Sequence, residues 1–596
     1  MTYSRIRLGL AASGATLASV VLLLLAAGAQ DPVLPPAVEE PGSAYCLSCH
    51  QHDISGRRAV DAQALAGGPH RPLSCQSCHS TITAVPHTAE MMATKATCSP
   101  CHGDAAEAYR RSPHSRVDIV AGDHPTCISC HATGADPHAI VWPEREDRRV
   151  QTALCAGCHR DEDRMARYGV NPDATPTYED SFHGKALLRF GMDEAATCID
   201  CHRHHDVLPS TDPAASTHDD NVVATCAQPG CHPDANATFA MSGMAHPGLM
   251  VQASRSLQIQ SQFFHYLTLG TILLLMAGVG CDLRTKVFAR GPGPASGRLA
   301  AALISISFML LVAALAAAYF GHERGMWSGV AALMVLGLAV VAVLARPRKP
   351  ASTSGELIQR FTAGQRWQHA TLAISFTLLV LTGLPLKFAH IEWLHPLYAA
   401  FGGIDGARLI HRIAGVIMIV TWVWHTVDLL VRWRKAGWTF RSWSMFPNRK
   451  DFADFYWACR FYLGLAKEGP KHDRYEFRGK FHYFAVCWGT PIMVLTGLVL
   501  WFPVYASTLL PETGLVAAQI AHSHESILAM LAVLIWHFYN AHFNPDHFPM
   551  NPVWFTGTKT REQMERDHPL ELARLDAAAK APSASEPPKP APADPA

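Results

Sequence analysis

The sequence predicts a mostly α-helical chain of two unlike parts. The N-terminal part is rich in cysteine and histidine and has little regular structure; the second part is a seven-helix transmembrane domain. Of 17 Cys, 14 lie before residue 232. Beyond residue 260 the chain turns to apolar runs of about 20 residues, each long enough to cross the ~30 Å hydrocarbon core of a bilayer. At 596 residues the chain exceeds one ordinary domain. The expected divisions are 1–29 (export signal or N-terminal anchor), 30–255, 256–350, 351–560 and 561–596, the last an Ala-, Pro- and Ser-rich disordered cytoplasmic tail. With 50 basic against 49 acidic residues, no bulk charge points to nucleic acid.

The start fits export. Arg5 and Arg7 precede an apolar stretch from Leu17 to Leu25, and Ala27-Gly28-Ala29 offers a small-residue cleavage site. The Cys-rich segment is therefore delivered across the membrane. An oxidising compartment suggests disulfides first, so spacing must decide.

Six segments read Cys-x-x-Cys-His: Cys46/Cys49/His50, Cys75/Cys78/His79, Cys98/Cys101/His102, Cys127/Cys130/His131, Cys155/Cys158/His159 and Cys198/Cys201/His202. A seventh, Cys226/Cys231/His232, has two extra residues between its cysteines. This is the c-type haem attachment pattern. Two thiols add to the porphyrin vinyl groups, which brings the adjacent His to the iron. Neither a disulfide framework nor a zinc site gives a reason for His to follow the second Cys seven times. The N-terminal part is thus expected to be a periplasmic heptahaem c-type domain, its chain wrapped round the macrocycles.

An internal repeat supports this. Tyr109-x-x-Ser112-x-His114 precedes Cys127, and Tyr178-x-x-Ser181-x-His183 precedes Cys198; the intervals from Cys127 to Cys155 and from Cys198 to Cys226 are equal. A third echo, Phe239-x-x-Ser242, leads to His246. Iron has two axial positions, and bis-His ligation suits electron transfer because it leaves no open site. The repeat nominates His114, His183 and His246 as second ligands. The short step after an attachment site nominates His87, His138 and His205, and the seventh is His70 or His52.

The membrane spans fall near 262–282, 298–320, 327–345, 367–388, 407–431, 481–502 and 517–541. Basic loops, among them Arg284/Lys286/Arg290, Arg346–Arg366 and Arg432–Lys480, alternate with less basic ones and belong inside. The N-terminal part then lies outside, as the export signal requires. This describes a multi-pass protein of the bacterial cytoplasmic (inner) membrane with a periplasmic c-haem domain.

Ionisable residues inside spans are expensive and functional. Here they are His369, His411, His425, His522, His524 and His537. On an ideal helix His522 and His537 lie about 60° apart with a rise of ~22 Å, whereas His524 is about 140° from His537. His411 and His425 also share a face. Two stacked b haems follow: His411 with His522 for the outer, and His369 with His537 for the inner, with His425 the rival for the inner.

Residues Arg366-Trp-Gln-His369, Leu-Thr-Gly383-Leu-Pro385, His411-Arg-Ile-Ala-Gly415 and Ile535-Trp-His537 resemble the dihaem cytochrome b subunits of membrane-bound formate dehydrogenase and nickel–iron hydrogenase. The resemblance spans roughly 355–560. It implies a four-helix bundle with one ligand in each of the first two helices and two in the fourth, and a quinone site near His537. With the c-haem domain in front, the whole chain resembles the fused cytochrome c/cytochrome b quinone oxidoreductases of metal-respiring bacteria. That resemblance implies a membrane quinol dehydrogenase with two haem b and quinone as substrate, to which the seven attachment segments add seven covalent haem c. Its partners are the quinone pool, the lipid bilayer and a periplasmic redox protein or reductase. The alternatives are flow from a periplasmic donor to quinone, or a terminal reductase with chemistry at one c haem. A pyridine haemochrome assay should therefore give covalent and extractable haem near seven to two; absence of extractable haem would exclude the b-haem bundle.

Overall fold

A computed structural model describes residues 41–52, 59–116, 120, 123–132, 136, 138–141, 147–287, 355–439, 445–544 and 550–580. The expected signal at 1–29, the spans at 298–320 and 327–345, and residues 581–596 lie outside the described residues. The chain divides into two compact units, 1–155 with 198–216, and 156–197 with 217–596.

The first unit is made of short helical turns joined by loops. Several begin at or carry the paired cysteines, as in Cys75–Cys78, Cys127–His131 and Cys198–His202. Thiols of successive attachment segments meet in hydrogen-bonded pairs, Cys46 with Cys75, Cys98 with Cys127, and Cys155 with Cys198. The six regular segments are thereby set side by side in three pairs. The first repeat has a structural reason: the Tyr109 hydroxyl donates to the Pro125 carbonyl over 2.6 Å, two residues before Cys127.

In the second unit the equivalent Tyr178 donates to Ala196, also at 2.6 Å and also two residues before the next Cys. One tyrosine per repeat thus fixes the approach to the following attachment segment. The third echo, Phe239, lacks the hydroxyl. The elements that matter further are α1 (Phe182–Phe190), α2 (Pro247–Ala253) and α3 (Arg255–Val287). After the undescribed stretch come β1 (Leu357–Gln359), α4 (Ala363–Lys387), α5 (Gly403–Lys435), α6 (Arg449–Tyr462) and α7 (Phe477–Trp501). Then follow α8 (Pro503–Ala506), α9 (Gly514–Ala532), β2 (Thr558–Thr560), α10 (Arg561–Asp567) and α11 (Pro569–Lys580).

Five helices among the described residues are long and apolar enough to cross a membrane: α3, α4, α5, α7 and α9 with its extension to His542. α4 packs on α5, and α7 on α9. α4 opens with a capping box in which Thr362 and Gln365 satisfy each other's backbone N–H groups. Pro385 and Pro491 lie within α4 and α7. α9 does not continue as a regular α-helix: Val533–His537 and Tyr539–Phe543 are π-helical turns. Such turns widen the helix locally and re-aim its side chains. They also shift the ideal-helix angle between His522 and His537.

The sequence sets helix α3 apart, with the two undescribed spans. The structure instead packs Ile272, Leu275 and Val279 with Ile527, Leu531 and Ile535 of α9 and its extension in a buried cluster. Gly278 allows this approach, since a Cβ there would meet the Trp536 ring at 3.0 Å. α3 is a fifth member of the bundle.

The expectation of a wholly disordered tail from 561 is corrected. Residues 561–580 form α10 and α11, and β2 pairs antiparallel with β1, Leu357 opposite Thr560. The Ala-rich composition hid a buried ionic knot. Glu571, 2 % exposed, pairs with Arg360 and accepts from Arg474 at 2.7 Å. The two arginines also donate to each other's carbonyl oxygens at 2.6 Å. Removing one member of such a cluster leaves buried charge uncompensated. Glu571→Ala should therefore destabilise this end of the bundle by about 3–5 kcal/mol, read as an earlier thermal loss of b-haem absorbance; an unchanged melt would show the knot to be incidental.

Candidate haem sites

The attachment cysteines differ by their place in the segment. Five first cysteines, Cys46, Cys75, Cys155, Cys198 and Cys226, are half-buried, while Cys98 and Cys127 are exposed. Of the second cysteines, Cys49, Cys78, Cys101, Cys130 and Cys231 are exposed, and only Cys158 and Cys201 are half-buried. Arg164 donates to the Cys158 thiol over 3.1 Å. None of the fourteen is joined in a disulfide. The polypeptide leaves most second thiols at its surface. The reason lies in the two-residue spacing. One turn of helix ties the His N–H back to the first Cys, as in His79 to Cys75, and most second cysteines fall on the open side. A thiol that joins a porphyrin edge has to stand clear of backbone packing in this way.

Metal–imidazole bonds of about 2 Å on either side of one iron atom put the two ring centroids roughly 6 Å apart. A direct N–H···N hydrogen bond would close them to about 5 Å. Spacing therefore tests whether the histidines fit a haem iron.

In the first unit His50 faces His87 at 6.1 Å, His70 faces His102 at 5.8 Å, His79 faces His138 at 6.3 Å, and His131 faces His205 at 6.0 Å. In the second unit His232 faces His183 at 6.0 Å. Each pair joins one attachment histidine to one of the nominated second ligands. Of His70 and His52, between which the sequence left the choice open, it is His70 that faces an attachment histidine. His114 sits in a single turn, Pro113–Ser115, capped by the Ser112 hydroxyl. His246 directs its Nδ1 at the Ala174 carbonyl, 2.9 Å away, so that nitrogen donates and Nε2 remains for metal. Burial, the main influence, holds the imidazolium pKa of His70, His79, His131, His159, His232 and His246 below its ordinary value. Neutral rings are what iron requires.

The widened seventh segment keeps the closure of the regular ones. In regular segments the His N–H bonds the first Cys carbonyl, as in His79 to Cys75 and His102 to Cys98, both 2.9 Å. His232 bonds Cys226 in the same way at 3.0 Å. The two additional residues are absorbed in a turn that Cys231 closes on Gln228 at 3.0 Å. Gly230 within it has a φ of +84°, which suits glycine.

In the bundle, His411 of α5 faces His522 of α9 at 6.4 Å, and His369 of α4 faces His537 at 6.1 Å. The chain between His522 and His537 would rise ~22 Å as a regular helix, one pair near each membrane face. The outer pair is held symmetrically. Thr382 of α4 lies 2.8 Å from His411 Nδ1, and Thr496 of α7 lies 3.0 Å from His522 Nδ1. Each hydroxyl donates its own proton to a carbonyl one turn back, Leu378 and Ile492. It can therefore only accept from the imidazole, which fixes Nδ1–H and leaves Nε2 for metal. The following glycines make room: a Cβ on Gly383 or Gly497 would sit 3.2 Å from Cε1 of His411 or His522.

The inner pair is held by rings. Trp554 stacks on His369 at 4.2 Å, and His482 of α7 lies nearly parallel to His537 at 5.5 Å. The rival His425 is occupied, with Nδ1 3.0 Å from Gln368 Oε1 and Nε2 2.8 Å from the Tyr483 hydroxyl. His524 directs Nδ1 at the Ile520 carbonyl over 2.8 Å.

Sequence reasoning missed Thr382, Thr496, His482 and Trp554 as supports. The signal for two of them was present as a second internal repeat, Leu381-Thr382-Gly383-Leu384 and Leu495-Thr496-Gly497-Leu498. No local pattern marks Trp554 or His482.

This arrangement of the C-terminal region resembles that of membrane cytochrome b subunits. Residues 360–546 match the family model described as prokaryotic cytochrome b561. The chain is also 25% identical over 209 residues to the cytochrome b556(fdo) subunit of formate dehydrogenase from Escherichia coli (strain K12). That match covers 34% of this chain and 83% of the subunit, with the same figures for the O6:H1 and O157:H7 strains. The resemblance of the C-terminal region to electron-transport cytochrome b subunits thus holds.

Thr496→Val should leave the outer b haem bound but raise its reduction potential, because a histidine without its acceptor is less basic and supports ferric iron less well. Each tenfold change in relative affinity corresponds to about 59 mV for one electron. A redox titration with an unmoved outer midpoint would show that the hydroxyl does not tune this site. His425→Ala should retain both b haems, whereas His369→Ala should lose the inner one.

Proposed function

We propose that the chain is a membrane quinol dehydrogenase, taking electrons from (mena)quinol in the bilayer and delivering them to a periplasmic acceptor. His369 and His537 would hold the inner b haem, and His411 and His522 the outer. The seven cysteine pairs would hold covalent haem c, with seven attachment histidines and His70, His87, His114, His138, His183, His205 and His246 as axial ligands. When bound, haem supplies reversible one-electron ferric/ferrous chemistry.

The observation that carries the reading is the pair of facing histidine couples, one toward each end of a bundle that matches cytochrome b. A bundle that only anchored the c segments would have no use for four half-buried imidazoles set an iron's width apart. The formate dehydrogenase relative supports the quinone link by likeness of the membrane subunit. His537, flanked by His482 at the inner end, is the natural neighbour for a quinone headgroup. His482, which holds no iron on this reading, would be the imidazole there able to exchange a proton as the headgroup changes its redox state.

A terminal reductase would need an open iron position. The five c couples with facing rings each present two imidazoles, which favours electron transfer over substrate chemistry at those sites. Direction is set by potentials and partners, and reverse flow to quinone uses the same residues.

His537→Ala should lose the inner b haem and abolish reduction by a menaquinol analogue, while all seven covalent haems stay attached. A variant that keeps the inner b haem and full quinol reactivity would contradict both the ligand assignment and the quinone link.

A further inference from the structure

The second unit joins the atypical seventh attachment segment to the membrane bundle, and two independent contacts tie it to the outer histidine pair. The first is on the His183 side. Phe182 precedes His183 in α1, and the Arg408 guanidinium lies 5.1 Å over the Phe182 ring. Arg408 is three residues before His411 on α5, about one turn. Around this contact Leu187 and Ala186, both fully buried, pack with Tyr398, Ile404 and Ala407. The second contact is on the His232 side. Asn236 donates to the Val504 carbonyl at 3.1 Å and to the Ser507 hydroxyl at 2.9 Å. Those residues lie in and just after α8, which directly follows α7 with its Thr496 and Gly497 against His522. Phe239 meets the His232 ring edge-on at 4.9 Å.

Both ligands of one c site are therefore fastened to the two helix ends that flank the outer b site. We propose that the Cys226/Cys231 site, with His183 and His232, is the junction at which electrons cross between the membrane bundle and the c-haem row. This inference rests on the haem reading given above. With haem held at both sites, one electron would pass from ferrous iron held by His411 and His522, leaving it ferric, to ferric iron held by His183 and His232, which would become ferrous. No bond or proton moves. Within the second unit the seventh segment is held to the bundle by both of these contacts.

The competing junction is the site that His246 serves. Met244 and Met250, close to His246, pack with Ile520 and Ala521 beside His522. That contact is made through flexible side chains against α3 and α9. The elements that carry His411 and the Thr496–Gly497 notch, α5 and α7, take no part in that cluster among the described residues.

The test uses the full-length haem-loaded protein and two single variants, His183→Met and His246→Met. Each should convert one c haem to His–Met ligation, visible as a thioether–iron absorption band. Redox titration and electron paramagnetic resonance then read the outer b haem. His183→Met should shift its apparent midpoint and alter its low-spin signal, because the raised potential of the neighbouring haem changes which oxidation state the outer b haem faces at each applied potential, and His246→Met should leave both unchanged. An outer b haem that responds to His246→Met alone, or to neither variant, overturns the junction. Absence of the thioether band in both variants overturns the ligand reading itself, and the junction with it. Arg408→Gln leaves every ligand in place and guards against misfolding of the methionine variants. It should slow electron passage from the b to the c absorption bands by about tenfold or more; an unchanged rate counts against the contact as a route.

Discussion

The spacing between two imidazole rings is the constraint on which the rest of the structure depends. Seven histidine couples among the described residues, five in the Cys-rich segments and two in the bundle, hold centroids between 5.8 and 6.4 Å apart. Nothing in a short helix or a loop fixes such a distance by itself. In the Cys-rich segments it is set by hydrogen bonds that aim the chain, such as Tyr178 to Ala196 and His232 to Cys226. In the bundle it is set by helix packing, with glycines where a methyl group would intrude. The seventh segment shows how firm the requirement is, since two additional residues are turned aside while the same closing bond is kept.

The two bundle pairs meet the constraint by different means, and the difference bears on their chemistry. The outer histidines are locked by threonine hydroxyls that accept from Nδ1, which fixes the tautomer and strengthens the ligand. The inner histidines are oriented by stacking, His369 on Trp554 and His537 beside His482. With haem bound as proposed, stronger donation from His411 and His522 would lower the potential of that site relative to one held by rings. The packing of α1 on the outer end, and of α10 and α11 at the opposite end of α4, makes the bundle asymmetric along the same axis.

Much of this was legible in the sequence because the signals are local. Cys-x-x-Cys-His carries its chemistry within five residues, and apolar runs announce spans. The repeat also points to His183, because equal spacing in sequence became equal geometry about Tyr109 and Tyr178. Intramembrane histidines narrow the bundle ligands to six, and ideal-helix angles choose four that do face one another. Those angles are nonetheless the angles of a regular helix, and the π-helical turns at Val533–His537 and Tyr539–Phe543 could not be foreseen. The motif is equally silent on which thiols the chain covers, and the exposure of Cys49, Cys101, Cys130 and Cys231 emerges only from the packing of each turn. What stayed hidden depends on distant partners. Trp554 and His482 reach the inner pair only through the tertiary fold. Glu571 reads as one charge in an Ala-rich tail until Arg474 and Arg360, about a hundred and two hundred residues earlier, close on it. Helix α3 shows the same limit, since its place beside α9 is decided by Gly278 against Trp536.

On the function proposed above, each of these facing histidine couples would hold one haem iron with both axial positions filled. The most direct test of that claim is the electron paramagnetic resonance spectrum of the fully oxidised, haem-loaded protein. The account predicts low-spin ferric signals of bis-histidine type alone, accounting for both the covalent and the extractable haem. A high-spin ferric signal equivalent to a whole haem would contradict it, because it would mean that one of these histidine couples leaves its iron open.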